Sequence, residues 1–402
     1  MSAETASSDD RGAAALELLA ALYPAPLVAV AGGAGGGSVR AAWTAIPSAE
    51  SPRLLVPVTR PSAATKMMRR QLTGRRLRTR VARTGLSVAM STGALMLLPR
   101  TRITVTGPAD AASIEEPLRR VLGIDDLCLT MPVGPARSNR KPVLQVADRA
   151  GRVRAFAKVG HNALTANLVR GEGEALRRLE AEPLPDVRVP RALACLSWEG
   201  REVLVLEPLE IPSRRLAGQD GERRLLDVVR AISDVGGRRV VDWGTHPYRS
   251  ALLERLARIG GPADRLRRQV EHVDASLSVA TGAWHGDLNS GNVALVAGPC
   301  PVWDWERFEE GVPVGFDLLH HELHRSITTR GVAPRVAAER LVAQSAATLA
   351  PLGVEPAAAD LVARTYLVTL ACRYLADDQE AAGADLGKVH DWLLPALEEV
   401  PA

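Results

Sequence analysis

The sequence predicts a protein of the α+β class in which a basic N-terminal α/β module (residues 1–110) precedes a larger domain (residues 111–402). Residues 51–109 carry twelve basic side chains and no acidic one, while the net charge of the chain is only +4, which leaves −8 for the rest (4 − 12). Beyond the turn at Gly107, strand-like and helix-like patterns of apolar residues alternate.

The composition is that of a globular protein. Of 402 residues, 46% are hydrophobic and 24% are charged, which argues against wholesale disorder. No uncharged apolar run reaches the roughly 18 residues of a membrane-spanning helix, and the N-terminus lacks the basic and apolar segments of a signal peptide. The four cysteines form no CxxC pair, so a zinc ribbon and a disulfide framework are both disfavoured. We therefore expect a cytoplasmic protein.

The start of the N-terminal module is expected to be a solvated tail over residues 1–15. The glycine-rich stretch at 32–37 has neither the GxGxxG spacing of dinucleotide-binding proteins nor the Gly-Lys-Ser/Thr of a Walker loop. It is interpreted as a flexible turn between two strands. Further strands are predicted at Val39–Pro47 and Arg53–Val58, on either side of a second turn.

Two helices are predicted next, at Ser62–Gly74 and Arg75–Leu98, and the first half of the second is strongly cationic. This basic segment could bind phosphates, an anionic membrane surface or an acidic partner. Alternatively, its arginines are solvated or docked on the acidic remainder of the chain. No aromatic residue lies between Trp43 and Phe156, so bases have no stacking platform and nucleic acid is not an expected partner.

The segment that follows Trp284 carries the strongest chemical signal. An apolar strand ends at His285-Gly-Asp287, Asn292 follows five residues later, and Asp304 comes after a second apolar stretch and a turn. Carboxylate and amide oxygens at strand ends suit a hard cation such as Mg²⁺. One aspartate can then act as a catalytic base beside a hydroxyl while the other holds the metal. The alternative, a hairpin with an Asx-turn and a helix-capping aspartate, explains one of these residues but not the set.

Upstream, Lys158 lies in an apolar, strand-like run. Only four of the 50 basic residues are lysines, so a lysine at this place suggests that an ammonium group is needed. A buried ammonium requires anions, which Glu172, in the predicted helix Ala163–Glu180, and the phosphates of ATP would supply. Glu174 is off the helical line of Glu172 and is the second choice of partner. The alternative is a lysine at a sheet edge whose amine reaches water.

Together these segments resemble the aminoglycoside phosphotransferase and choline kinase family, which has the protein-kinase-like fold. The matching features, in chain order, are the Lys158 strand, the Glu172 helix, the strand and hinge at Glu202–Leu209, His285-Gly-Asp287-x4-Asn292, Asp304-Trp-Glu306 and Gly315-Phe-Asp317-Leu. The resemblance covers roughly residues 112–400. It implies a two-lobed protein-kinase-like fold there, with a strand-rich first lobe (111–208) and a mainly helical second lobe (209–402), and it leaves the N-terminal module unassigned.

For the nucleotide, the resemblance implies that Lys158 contacts the phosphates of ATP and pairs with Glu172. The backbone from Glu207 to Leu209 would hold the purine. The loop over the phosphates would contain Ser138 and Asn139. This loop departs from the family pattern because it has a single glycine, although ordered turns can bind phosphate through backbone amides without glycine.

For catalysis, the resemblance implies that Asp287 is the catalytic base and that Asn292 and Asp304 bind Mg²⁺. His285 would order the loop rather than react. The chain would then be an ATP- and Mg²⁺-dependent phosphotransferase that acts on a hydroxyl of a small molecule. Asp317 is expected either to cap the helix that follows it or to contact the acceptor.

The charge of the helical lobe suggests which acceptors to expect. Glu306 and Asp317 are the expected acceptor contacts, and they belong to a set of acidic residues: Glu306, Glu309, Glu310, Asp317 and Glu322. Such a set favours a polyhydroxylated or cationic acceptor, for example an aminoglycoside, another sugar, an amino alcohol or a nucleoside antibiotic. Two further hypotheses are a Ser/Thr kinase for a natural-product precursor peptide, gripped by the N-terminal module, and a non-catalytic kinase-like scaffold.

The run His320-His321-Glu-Leu-His324 has imidazoles at a spacing that could bind zinc. It is not an HExxH motif. A helix behind the acceptor pocket is the preferred interpretation.

Overall fold

The computed structural model describes residues 8–32, 38–58, 102–135 and 137–399. The glycine-rich stretch beyond Gly32 and both helices predicted for the basic segment, 62–74 and 75–98, lie outside these ranges. A membrane or an acidic protein as the partner of the basic segment therefore stays a prediction.

The described residues divide into two compact units. The first consists of the residues up to Arg170 together with Arg191–Pro208, and the second of Gly171–Pro190 together with the residues from Leu209 onward. The first is built mainly on antiparallel strands and the second mainly on helices, so the α+β class is confirmed. The predicted division at residues 110 and 208 stays a prediction.

The first unit contains a nine-stranded antiparallel sheet in the order β1-β4-β2-β3-β5-β6-β7-β10-β9. Its strands are β1 (Val28–Ala31), β2 (Val39–Ile46), β3 (Leu54–Pro57), β4 (Arg102–Thr106), β5 (Cys128–Pro132), β6 (Val143–Ala147), β7 (Val153–Gly160), β9 (Ala192–Trp198) and β10 (Arg201–Leu206). The antiparallel pair β2–β3 confirms the two strands predicted there. Leu55 of β3 pairs with Met131 of β5, so strands from both sides of residue 110 belong to one sheet.

Two helices accompany this sheet, α1 (Ser8–Leu22) and α2 (Glu115–Leu122). The prediction of a solvated tail over residues 1–15 is wrong for the part that the structure describes, because α1 begins at Ser8 and Ala14, Ala15 and Leu18 are fully buried; residues 1–7 lie outside the described ranges. Ala15 and Leu18 are three residues apart, on one face of the helix, and they pack in the same core as the sheet residues Leu55 and Val205.

The second unit contains most of the helices. They are α4 (Gly218–Ser233), α5 (Pro247–Ile259), α6 (Asp264–Glu271), α7 (Phe316–Thr328), α8 (Pro334–Ala343), α9 (Ser345–Leu349), α10 (Pro356–Ala376) and α11 (Val389–Glu399). Its strands are β8 (Val187–Arg188), β11 (Arg239–Asp242), β12 (Ser278–Trp284), β13 (Cys300–Pro301) and β14 (Glu309–Pro313). β12 is the centre of an antiparallel sheet in the order β11-β12-β14, and β13 pairs with β8 in parallel.

Helix α3 (Ala163–Ala181) confirms the predicted helix that carries Glu172, and its residues fall in both units. Leu176 and Leu179 are buried and Glu174 is exposed, as the helical spacing predicts. Glu172 itself is fully buried.

Helix α10 lies in the core of the second unit. Its residues from Leu361 to Cys372 are all buried, so other parts of the protein cover this stretch of the helix on every side. Within the ranges that the structure describes, no helix combines the length and the hydrophobicity that crossing a bilayer would need.

Candidate active site

The loop His285–Asn292 begins where β12 ends, and a glycine sets its first turn. Gly286 has a φ of +85°. A β-carbon at this position would lie 2.6 Å from the Cβ of Arg307 and closer still to the carbonyl oxygen of that residue. Only glycine fits both the left-handed backbone and the close approach of the Arg307 main chain. This places the next residue, Asp287, at a fixed point just beyond the strand.

Three side chains donate hydrogen bonds to the carboxylate of Asp287. Its Oδ1 accepts from His320 Nε2 at 2.9 Å and from Asn289 Nδ2 at 3.0 Å, and its Oδ2 accepts from Asn292 Nδ2 at 3.0 Å. The Asp287 side chain keeps 38% of its surface exposed. The carboxylate is therefore held in one orientation and still reaches solvent.

The environment of Asp287 keeps it ionised at neutral pH. Burial alone would raise its pKa, but the hydrogen bond and charge of His320 and the nearby Arg373 outweigh this effect and hold the pKa well below its usual range. His320 donates from Nε2 to this carboxylate, and its Nδ1 lies 3.0 Å from the hydroxyl of Tyr366, a second hydrogen bond that fixes the ring.

His285 is a structural member of the loop. Its Nδ1 accepts from the backbone N–H of Asp287 at 3.2 Å, and its Nε2 donates to the carbonyl of Trp303 at 3.1 Å. Burial lowers its pKa to about 4, so the ring is neutral near pH 7. Both ring nitrogens are engaged by the main chain, so His285 joins the loop to the segment that carries Asp304.

Asp317, in the first turn of α7, binds the main chain of the first two residues of the same loop. Its Oδ2 accepts from the N–H of His285 at 2.7 Å and its Oδ1 accepts from the N–H of Gly286 at 3.2 Å. Burial raises its pKa to about 6, although these two donors oppose the shift. Both oxygens thus bind main chain, so the structure gives Asp317 a positioning contact; its predicted contact with an acceptor stays a prediction.

Arg373, from α10, holds the loop from the other side. Its guanidinium donates to the carbonyl of Gly286 at 2.7 Å and lies over the ring of Trp284, 5.1 Å from the ring centroid. The short turn between β12 and Asp287 is therefore fixed by groups from α7 and α10.

Asn292 and Asp304 are brought together by a hairpin. Val293 pairs with Val302 in an antiparallel bridge, and the N–H of Trp303 donates to the main-chain carbonyl of Asn292 at 3.0 Å. The amide nitrogen of Asn292 also donates to the main-chain carbonyl of Asp287 at 2.9 Å, so its side-chain oxygen is the group that can act as a metal ligand.

A group of three carboxylates adjoins this hairpin. One oxygen each from Glu172, Asp304 and Glu306 lie within 4.8 Å of one another. Asp304 adopts a left-handed conformation, with a φ of +73°, which is uncommon for a residue other than glycine. Carboxylate and amide oxygens are the donor set that Mg²⁺ prefers, so these residues fit that ion. Of all the His, Cys, Asp and Glu side chains among the described residues, these three are the ones whose possible ligand atoms are close enough together to share a metal ion.

The residues predicted to bind the nucleotide fall in both units. Lys158 lies in β7 of the first unit and is 7% exposed. Ser138 and Asn139 form a turn in that unit, and the buried hydroxyl of Ser138 has no hydrogen-bond partner among the described residues. Glu207 follows β10, is exposed, and pairs with Arg191 at 3.4 Å. Leu209 is the first residue of the second unit after this strand.

Arginines bind three of the five acidic residues that suggest a polyhydroxylated or cationic acceptor. Glu309 is paired with Arg255, and Glu310 lies 2.8 Å from Arg178. Glu322 is bound by two arginines of its own helix and the following turn. A cationic acceptor would have to break these ion pairs, so the number of acidic residues says little about the charge of the acceptor.

The histidine-rich run forms part of helix α7, as predicted. The sequence suggests only zinc binding or packing for this run, yet His320 donates to Asp287, 33 residues earlier in the chain. Arg373 is a second site residue that sequence reasoning missed. Neither belongs to a motif around the loop, and both reach it through the packing of long helices, so the sequence offers no local signal for either.

No protein-family model and no curated protein sequence matches this sequence. Solved structures that resemble it include a macrolide 2′-phosphotransferase from Brachybacterium faecium, 17% identical, with 71% of this chain and 98% of that chain covered and a TM-score of 0.40. An aminoglycoside phosphotransferase from Streptomyces rimosus, in complex with ADP and streptomycin, is 16% identical over 56% of this chain and 88% of that chain, with a TM-score of 0.37.

A thermostable mutant of another aminoglycoside phosphotransferase, in a ternary complex with ADP and hygromycin B, is 13% identical. The alignment covers 72% of this chain and 100% of that chain, with a TM-score of 0.41. This chain is similar to these enzymes in structure, and we infer its function from its own residues.

Proposed function

We propose that this protein is an ATP- and Mg²⁺-dependent phosphotransferase that moves the γ-phosphoryl group to a hydroxyl of a small molecule. The observation that supports this most is the environment of Asp287. An ionised, partly exposed carboxylate is fixed by three donors at the end of a strand, directly beside a hairpin that presents Asn292 and Asp304.

Asp287 would orient the acceptor hydroxyl by accepting its hydrogen bond. Because its pKa is low, this carboxylate is a weak base before the reaction, and it takes the proton only as the bond to phosphorus forms. That timing suits phosphoryl transfer, in which the transition state is loose and the acceptor oxygen becomes acidic late. His320, Asn289 and Asn292 would keep the carboxylate aimed at the hydroxyl throughout.

Asn292 and Asp304 would hold Mg²⁺, with the oxygens of Glu306 close by. When bound, the ion supplies positive charge to the phosphate oxygens. The hairpin places Asn292 and Asp304, the proposed metal ligands, side by side. The side-chain nitrogen of Asn292 donates to Asp287, so the side-chain oxygen of Asn292 is left for the metal. The side-chain amide of Asn292 thus connects the proposed metal site to Asp287, the proposed base.

Lys158 would bind the phosphates of the nucleotide and pair with Glu172. Both side chains are buried, and a buried ammonium is stable only beside anions. Ser138 and Asn139 would contact the phosphates through a turn, and the backbone from Glu207 to Leu209 would hold the purine. A scaffold without catalysis would not need this whole set of charged groups, so we favour the enzyme.

The acceptor class is best found by measuring ADP release from Mg-ATP in the presence of sugars, aminoglycosides, amino alcohols and Ser/Thr peptides. We expect release to depend on one small-molecule class. It should be lost in Asp287→Ala, Asn292→Ala and Asp304→Ala while the fold remains intact, because each residue touches charge that develops during transfer.

Asp220→Asn is the matched control, since Asp220 is 71% exposed on α4 and belongs to no part of the proposed site. Its activity should equal that of the wild type. Full activity in Asp287→Ala would overturn the assignment of the base, and a response to peptides alone would favour the peptide kinase.

A further inference from the structure

A cavity of about 570 Å³ lies within the second unit, apart from the proposed metal ligands. It is enclosed by α5, α10, the end of β12, the start of β14 and Arg307. This volume is in the range of small-molecule sites, which usually combine an apolar wall with a few charged groups. Leu252, Ile259 and Leu375 supply apolar surface here.

The charged lining of the cavity is unusual. Four arginines line it and only two carboxylates, those of Glu309 and Asp377. Both carboxylates are already neutralised: Arg255 binds Glu309 through two hydrogen bonds, and Arg307 pairs with the buried Asp377. The cavity therefore keeps two arginine charges beyond its internal pairs.

These two charges belong to Arg258 and Arg373. Neither forms a direct ion pair with another residue in the part of the chain that the structure describes, and Arg373 acts on the carboxylates of Asp287 and Asp317 only at longer range. Arg258 is exposed at the last turn of α5, and Arg373 is half-buried on α10. The thiol of Cys372 offers no compensating charge, because burial raises its pKa to about 11.

We propose that this cavity binds a small organic anion whose phosphate or carboxylate group engages Arg258 and Arg373 and whose apolar body packs on Leu252, Ile259 and Leu375. Guanidinium groups bind such anions through charge-assisted, often bidentate hydrogen bonds. The site is distinct from the nucleotide and metal residues of the proposed reaction.

Arg373 links this site to the loop His285–Asn292. The guanidinium that lines the cavity is the one that donates to the carbonyl of Gly286, immediately before Asp287. An anion in the cavity would bind the same guanidinium that holds the loop. Arg373 would therefore couple binding in the cavity to the position of the loop that carries Asp287.

The test is calorimetric titration of the full chain, without nucleotide or Mg²⁺ and at constant ionic strength. The probes are inorganic phosphate, phenyl phosphate and benzoate. We expect phenyl phosphate to bind more tightly than inorganic phosphate, since only the former uses the apolar wall, and the rank of benzoate separates carboxylate from phosphate ligands. Absence of saturable binding for all three would overturn the proposal.

Arg258→Gln should weaken binding by at least about tenfold, because it removes one charged hydrogen-bond donor. The matched control is Arg268→Gln, which removes the same charge from an exposed position on α6 outside the cavity. Equal affinity in these two variants would assign the binding to another surface.

A second pair of variants keeps the test independent of Arg258. Ala376 is exposed and lines the cavity, so Ala376→Glu brings a carboxylate to the two arginines without disturbing the core. We expect Ala376→Glu to abolish binding and Ala376→Gln to retain most of it. Unchanged binding in Ala376→Glu would contradict the site.

Discussion

Gly286 offers the sharpest test of how the loop is built. Gly286→Ala introduces a β-carbon that meets three atoms of Arg307 at less than 3 Å, two of them main-chain atoms. A left-handed backbone costs a residue with a β-carbon about 1–2 kcal/mol, and an overpacked contact adds about 1–3 kcal/mol. We therefore expect Gly286→Ala to lower the free energy of unfolding of the second unit by about 3 kcal/mol.

Gly237 provides the matched control for this substitution. Its φ of +79° is close to that of Gly286, but a β-carbon there would have no neighbour within 4 Å. Gly237→Ala should therefore show the backbone cost alone, about 1–2 kcal/mol. Urea unfolding of the wild type and both variants gives the two losses. Equal losses would refute the close approach of Arg307 to Gly286, since the two glycines share a positive φ and a β-carbon meets neighbouring atoms only at Gly286.

Three further predictions concern the groups around this loop. His320→Gln removes the imidazole donor from Asp287, so steady-state ADP release should fall by about tenfold or more while the exposed His272→Gln keeps its rate; equal rates would contradict the contact. Burial raises the native pKa of Asp317 to about 6, so between pH 4 and 7 its ionisation should lower wild-type stability by about 2 kcal/mol relative to Asp317→Asn. The sign follows because the native state binds more protons than the unfolded state in that window, and a stability difference that does not change with pH would count against it. Arg307→Gln leaves Asp377 buried without its partner and should cost about 3–5 kcal/mol in urea unfolding; the double change with Asp377→Asn should recover much of this, and no recovery would argue against the pair.

Local patterns predicted the parts of the site that are local in the chain. The strand around Lys158, the helix around Glu172 and the strand that ends before His285 are all present, because apolar periodicity and a bounding turn suffice to specify each element. The contact between Asp287 and Asn292 is equally local, since five residues of one tight turn connect them.

The groups that sequence reasoning missed act over long separations. His320 and Arg373 reach the loop from 33 and 87 residues away, through the packing of α7 and α10. Counting charges in the sequence has the same limit. Glu309 and Glu310 suggest an acidic pocket in the sequence, but each lies beside an arginine supplied by a distant helix.

The N-terminal residues show the same limit. Strands β3 and β5 lie on either side of Gly107-Pro108 in the chain and pair within one sheet, a contact that no local pattern indicates. The buried face of α1 was missed because alanine fills much of it, and alanine is compatible with solvent as well as with a core.

Titration of the protein with ADP, at saturating Mg²⁺ and in its absence, measures whether Asp304 and Asn292 hold a metal ion against nucleotide phosphates. This needs no knowledge of the acceptor. The wild type and Asp220→Asn should bind ADP more tightly when Mg²⁺ is present, and Asp304→Asn should lose that dependence while still binding. Identical metal dependence in Asp304→Asn and the wild type would mean that the phosphates and these two residues do not share an ion.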